Sequence, residues 1–382
     1  MMMKTKFLAI LAASAFTFVA CSDDNDPIVT PPVDGLKELK GNITGDVTLG
    51  STSVKLTGAT IVKAGAKLTI PAGTTITADA AGTGTYLLVE RGAQIIAQGT
   101  ADKPIVFTST GGKSASWGGL IINGYAPLSR AEGGSLEAAT EIAKDIMFGG
   151  DKPNDNSGIL KFVKIEYSGA KIDADAEHNG LTLNGVGNGT QISDIFITDG
   201  ADDGIEFFGG TVNVTNLLVV NSEDDMFDFS QGYSGTLTNA YGVWKEGYVS
   251  TSSDPRGIEA DGNLDGNGTN HINQSNFVVK DMTIVNKSNA KMNAAVKIRR
   301  KAKATITNLL IQGNNADQFT AFFDLTDSKD NGNKESNVTY SIIPTAIFDS
   351  AKIKNPDGAT LTKNDTQTGA STTPFAWTKY TF

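Results

Sequence analysis

The sequence predicts an all-β chain, a right-handed parallel β-helix with three short strands per coil and about 22 residues per coil, and three observations predict it. Short, apolar, β-branched runs recur between Gly, Asn and Asp, among them "KLTIPAGTTI", "KPIVFTS", "ISDIFITDG", "VTNLLVVNS" and "ITNLLIQG". Many alternate apolar and polar residues, the period of a strand, and 42 glycines suit tight corners between them. The segments "ADDGIEFFGG" (201–210) and "EDDMFDFSQG" (223–232) align over their whole length, which sets Glu206 and Asp228 22 positions apart (228 − 206). A coil of three strands and three turns needs about that many residues, and coils stack about 4.8 Å apart. Finally, no linker interrupts the 382 residues after about position 36, yet the chain is longer than one globular core usually serves. A solenoid resolves this, because it lengthens without enlarging its core. A β-sandwich would place the N-G and D-G pairs in hairpins; here they are expected at coil corners with a constant period.

The ends come next. Lys4 and Lys6 precede an apolar run from Phe7 to Val19, too short for a stable membrane span but suited to a signal peptide over residues 1–20. Ala20 then precedes Cys21, the only cysteine. A small residue before a lone cysteine resembles a bacterial lipobox, although Phe18 stands where Leu is usual. Acylation of Cys21 would anchor the chain through lipid, at about 0.8 kcal/mol per buried CH₂. Residues 21–35 are acidic and Pro-rich and read as an extended tether. Ser22, Asp23 and Asp24 behind the cysteine resemble a surface-export signal of Bacteroidetes lipoproteins. The expected location is therefore the outer membrane, facing outward. Without Lys4 and Lys6, 30 basic residues face 42 acidic ones, a net charge of −12. That excludes nucleic acid and anionic lipid surfaces as favoured partners, and a monomer is expected.

Residues 36–382 form a single solenoid domain in this reading, with two irregular parts. A loop insertion at about 127–157 contains "SLEAATEIAKDIMF" (135–148), the one stretch with helical texture. At the C-terminus, Phe375, Trp377, Tyr380 and Phe382 are expected to cover the last open coil, whose strand edge would otherwise invite aggregation.

The phrases "GTADKPIVFTS", "WGGLIINGYAPL", "LKFVKIEYSGA", "NGLTLNGVGNGT", "ADDGIEFFGGTVN", "DDMFDFSQGYSG" and "AAVKIRRKAKATITN" resemble a family of Bacteroidetes surface lipoproteins with a pectate-lyase-like β-helix. The resemblance covers about residues 40–320. It implies the fold and the location; the family has no settled activity.

The chemistry concentrates in an acidic ladder. On stacked coils Asp202 and Asp203 lie over Asp224 and Asp225, Glu206 lies over Asp228, and Glu259 follows one coil on, with Asp199, Glu223, Asp254 and Asp261 nearby. Carboxylates about 5 Å apart repel, so the column needs a bound cation, interleaved basic residues or raised pKa values. Ca²⁺ fits Asp-rich turns, which can gather six to eight oxygens. Arg256, Lys297, Arg299 and Arg300 offer the second remedy. A third reading is catalytic: a polysaccharide lyase with Ca²⁺ at Asp203, Asp225 and Asp228 and Arg256 or Arg299 as base, or a glycoside hydrolase using two carboxylates, acting on acidic polysaccharide. Resemblance to polygalacturonases is partial: the aspartate pairs have counterparts, Gly-His-Gly does not, and Arg-Ile-Lys appears reversed as Lys297-Ile298-Arg299. His178 and His271, the only histidines, sit in turn-like contexts and are expected in solvent. Trp117, Tyr233 and Trp244, with Tyr125, Tyr241 and Tyr248, are candidates for stacking on sugar rings. The function expected first is non-enzymatic binding of a glycan or surface protein, with Ca²⁺ in the ladder; the alternatives are the lyase or hydrolase, and a structural outer-membrane component. Asp349-Ser350-Ala351 resembles a Bacteroidetes O-glycosylation sequon.

Overall fold

The computed structural model describes residues 36–172 and 177–382, with the backbone alone at Asp265. The signal peptide, Cys21 and the Ser22-Asp23-Asp24 signal lie outside the described residues. Among these residues, 24 strands form one continuous sheet, and nearly every pairing is parallel and joins a strand to its counterpart one turn of chain later. The expected parallel β-helix is thus what forms.

Each coil has three faces. The first carries the short strands Leu120–Asn123, Leu181–Asn184, Ile205–Phe208, Phe227–Ser230, Arg256–Ala260 and Met292–Lys297, each paired to the next. The second and third faces are two halves of longer strands, such as Gln191–Thr198, Asn213–Val220 and Thr236–Trp244. A single residue with positive φ bends each of six long strands: Phe162, Asp194, Asn216, Asn239, Asp281 and Asn308, all with φ between 50° and 58°. Asn and Asp tolerate this left-handed conformation because their short polar side chains hydrogen-bond locally. They also stack. Asn216 Nδ2 donates to Asp194 Oδ1 (2.8 Å), and Asn239 Nδ2 donates to Asn216 Oδ1 (2.9 Å). The corner between the second and third faces is therefore an Asx ladder and not a glycine turn. Replacing Asn216 by Leu should cost about 2–4 kcal/mol, from a strained left-handed residue and two orphaned partners, the Asp194 carboxylate and the Asn239 amide; a loss below about 1 kcal/mol in urea unfolding would show that the ladder does not set this corner.

The interior is a column of apolar layers. Phe207, Phe229 and Phe277 stack on successive coils at 5.2 and 4.3 Å, with Tyr233 packed against all three. All four rings are fully buried. The coil length is not constant. It is 22 residues between Glu206 and Asp228, but 31 between Asp228 and Glu259 (259 − 228), because a loop over 245–254 enters before Arg256. The strand core sets only the stacking distance, so corners on the outside can lengthen freely.

Two expectations about the irregular parts fail. Residues 135–148 form no helix: Ala138–Ala139 pairs antiparallel with Met147–Phe148. Tertiary burial overrides propensity here, since Ile146 packs beside Leu88 and Ile121, and Phe148 beside Leu128 and Phe208. The C-terminal aromatics do not cover the last coil either. Residues 368–382 fold back along the outside of earlier coils, where Phe375 is buried against Phe196, Leu218, Val220, Tyr241, Val243 and Val285, and Phe382 lies 4.8 Å from Tyr241. The Asx ladder supplies the fastening: Asn308 Oδ1 accepts from the backbone of Thr368 and Gly369, and Asn239 Oδ1 from Ser371. The outward apolar stripe on the third face is a larger surface than the half-buried Ile353 and Leu361 of the terminal coil, so it claims the aromatics. The two strands of the last coil, Ile353–Lys354 and Thr360–Lys363, are short and each ends on a lysine, which blunts the open edge instead.

Candidate functional site

On the first face, strand alternation sends Ile205, Phe227 and Ile258 inward and their neighbours Glu206, Asp228 and Glu259 outward. Register pairs Glu206 with Asp228 and Asp228 with Glu259. At the turn entering this face, Asp203 Oδ1 accepts the Asp225 backbone N–H one coil on, at 2.8 Å. All seven ladder carboxylates expected from the sequence, Asp202, Asp203, Glu206, Asp224, Asp225, Asp228 and Glu259, line one trough of about 620 Å³. Glu141 from the insertion, Lys171, Glu177 and the 251–254 loop complete its walls. The insertion borders the trough and does not fill it.

The trough is divided by charge. Downstream, arginines from later coils neutralise it. Arg256 lies 3.4 Å from Asp225 and 3.2 Å from Glu259, and also pairs with Asp254. Arg299 reaches Glu259 at 2.7 Å and Asp261 at 2.6 Å, and Arg300 reaches Asp261 at 2.6 Å. Upstream, among the described residues, the cation in reach is Lys171, which pairs with Glu177 at 2.8 Å and approaches Asp202 at 3.7 Å. Between them Asp203, Glu206 and Asp228 bring one carboxylate oxygen each to within 4.8 Å of one another. Asn179 donates to Glu206 at 2.6 Å. Asp228 is 8% exposed and its buried Oδ1 has no hydrogen-bond partner.

Burial holds Asp203, Glu206 and Asp228 well above the usual carboxylate range, and their carboxylate neighbours push them further. Asp202 and Asp225 are raised for the same first reason, although Lys171 pulls the first down and Arg256 the second. Asp224 and Glu259 are also raised, by burial first, against a hydrogen bond from Ser252 and the arginines respectively. Arg256 and Arg299, the candidate bases, are both engaged by carboxylates. Burial alone would lower both, but the carboxylates around each hold the guanidinium charged more firmly than in water.

The residues fit a divalent cation. Three converging carboxylates, one without a donor, supply hard oxygen ligands of the kind Ca²⁺ takes. Among the described residues no Lys or Arg forms an ion pair with the triad, although Arg299 and Arg256 act on Asp228 from farther off.

The aromatic candidates are corrected outright. Trp117, Tyr233 and Trp244 are fully buried: Trp117 Nε1 donates to Glu166 O, Tyr233 OH to Val212 O and Trp244 Nε1 to Ser222 O. Large rings adjoining glycine-rich corners fill the core there. Tyr241 is buried beneath Phe382, and Tyr125 lies between Arg91 and Lys152. Tyr248 is half-buried against Trp244. His178 is buried beside Tyr86, and its imidazole pKa is pushed down to about 4 by desolvation, so it is neutral and not a solvated loop residue. Lys171, Glu177, Asn179 and Glu141 were missed because they come from the long connection and the insertion, whose paths no repeat fixes.

No curated protein matches the chain in sequence. Among solved structures it is similar to the enzymatically active domain of tailspike protein 2 from bacteriophage CBA120, at 12% identity and a TM-score of 0.44, over 84% of this chain and 48% of that one. It is also similar to full-length tailspike protein 2 from an Escherichia coli O157:H7 bacteriophage, at 12% identity and a TM-score of 0.34, over 84% of this chain and 42% of that one. The chain thus spans about half the length of these tailspike chains. The model of the pectate-lyase like beta helix domain matches residues 41–380, the whole run from the first coil to the C-terminal strap. The chain belongs to the pectate-lyase like beta helix domain family.

Proposed function

We propose that this is a lipid-anchored protein of the outer bacterial surface that binds a glycan at the acidic trough, with a divalent cation such as Ca²⁺ held by Asp203, Glu206 and Asp228. The single observation that carries the reading is Asp228, a buried carboxylate with an unpartnered oxygen between two more carboxylates. An isolated buried charge costs several kcal/mol, and an ion or a proton must offset it. The ion would neutralise the triad and offer open coordination positions to sugar hydroxyls. Asp202 and Asp224, on the trough wall, accept hydrogen bonds from the same ligand. Binding is favoured over turnover because Arg256 and Arg299 are held between carboxylates and the triad carboxylates are committed to the ion.

The test is thermal unfolding with calcium and with chelator, across pH. Calcium at about a hundred times its Kd should add about 2.7 kcal/mol. In chelator, stability should be highest near the ordinary carboxylate range and fall as pH rises. The native state holds protons on Asp203, Glu206 and Asp228 that the unfolded chain has lost, so their contribution disappears as pH climbs through the raised values. Calcium should flatten that slope. Asp228→Asn should raise stability in chelator by about 2 kcal/mol, abolish the response to calcium and weaken glycan capture on an array. Equal melting with calcium and chelator at pH 8 would sink the metal reading.

A further inference from the structure

The trough does not end at Lys171. A second cleft, of about 590 Å³, shares Lys171 and Thr251 with it and runs over Ala81, Gly82 and Ala170 to Ser114 and Glu223. A third, of about 270 Å³, shares Ser114 and Glu223 with the second and reaches Tyr167 and Tyr248. The three are one furrow. It follows the corner between the third and first faces, past the turns at 81–83, 112–116, 167–171, 199–201 and 221–223, and then the acidic first face to Glu259. Five coil steps of about 4.8 Å give it roughly 24 Å, the length of an oligomer and not of one sugar.

The floor is built for close approach. Ala81, Gly82, Ala115, Ala170 and Ala201 present backbone and methyl groups, so a flat ring can lie on them. Hydroxyl-bearing Thr83, Ser114 and Thr251 line the walls, and the described lining holds no large apolar side chain. The phenol rings of Tyr167 and Tyr248 flank the third cleft, beside Asp199 and Glu223. Charge selects among glycans. The trough gathers ten carboxylates, Glu141, Glu177, Asp202, Asp203, Glu206, Asp224, Asp225, Asp228, Asp254 and Glu259, against three basic side chains, Lys171, Arg256 and Arg299. Even with Ca²⁺ bound, the carboxylates that stay ionised meet few basic side chains, and each of those is already paired. Beyond the ion, a uronic-acid chain would meet no unpaired basic side chain among those at the trough, whereas neutral sugar hydroxyls can donate to its carboxylates along the whole length.

Resting on the glycan-binding reading, we infer that the joined furrow binds a neutral, linear polysaccharide several sugars long, with its length along the solenoid axis. The experiment is calorimetry of the calcium-loaded protein with length series of neutral gluco-, manno- and galacto-oligosaccharides and of oligogalacturonates. Affinity for one neutral series should rise with length, by tenfold or more from disaccharide to the longest member. Thr83→Trp and Ser114→Trp, both on turns that fill the distal furrow, should reduce affinity for the long ligand to that of the short one while leaving the melting temperature and circular dichroism unchanged. Equal affinity for short and long members, undisturbed by either variant, would overturn the furrow and leave the trough reading standing. Preference for oligogalacturonates would overturn the neutral class. Failure of every series to bind would overturn both this inference and the glycan-binding proposal.

Discussion

Replacing Arg256 by Ala is expected to destabilise the protein by about 3–5 kcal/mol at neutral pH, because it strands charges that one guanidinium holds together. The Arg256 side chain is 6% exposed and serves Asp225, Glu259 and Asp254 at once. Its loss leaves Asp225 and Glu259 buried, with only Arg299 still reaching the second of them. The deficit should depend on pH in a defined direction. Arg256 stays charged throughout, so its own titration contributes nothing. Asp225 and Glu259 already sit above their ordinary range through burial, with Arg256 restraining them. Without it they rise further, and the variant recovers as pH falls and they take up protons. Urea unfolding at pH 8 and pH 5 should show a clearly smaller deficit at the lower pH. Arg256→Lys should recover only part, because an ammonium cannot fork to three carboxylates. A deficit that is the same at both pH values, or below about 1 kcal/mol, would mean that the arginine is dispensable to the acidic column.

The second large effect concerns the C-terminal strap. Phe375→Ala should cost about 3–5 kcal/mol, the usual range for emptying a fully buried aromatic site. Removing residues 365–382 should do more than destabilise. It uncovers a stripe of Phe196, Leu218, Val220, Tyr241, Val243 and Val285 on the outside of the solenoid, and an apolar patch of that kind drives self-association. It also frees the ladder oxygens of Asn239 and Asn308 from their backbone donors. Light scattering on the truncated protein should show oligomers that the full chain lacks, while the solenoid keeps its strand signal in circular dichroism. A monodisperse, equally stable truncation would show that the strap is ornamental.

These two regions differ in how far the sequence exposed them. The alignment of 201–210 with 223–232 was enough to place Glu206 over Asp228, because strand stacking turns an equal position in two coils into a vertical contact. It also sufficed for Asp203 and Asp225, which belong to the same aligned phrases. The Asx corners were visible as the recurring Asp or Asn in "ISDIFI", "VTNLLV" and "ITNLLI", but they looked like polar interruptions in apolar runs. Only the left-handed φ at Asp194, Asn216 and Asn308 identifies them as bends. The aromatics misled for a related reason: a ring beside a glycine-rich turn has the same sequence context whether it points outward or, like Trp117, Tyr233 and Trp244, into the core.

By itself the sequence determined the winding, the inward apolar ladders and the outward column of carboxylates, since each follows from strand alternation repeated at a near-constant offset. The tertiary structure decided which carboxylates keep a cation and which do not. That choice depends on Arg256 and Arg299, delivered by coils of unequal length, and on how far the 127–157 insertion and the 245–254 loop overhang the trough. The same holds for the strap, which settled on the apolar stripe of Phe196, Leu218, Val220, Tyr241, Val243 and Val285. Local pattern fixes which way a side chain points from its own strand, but the partner it meets is set by long loops whose paths are chosen by packing over the whole molecule.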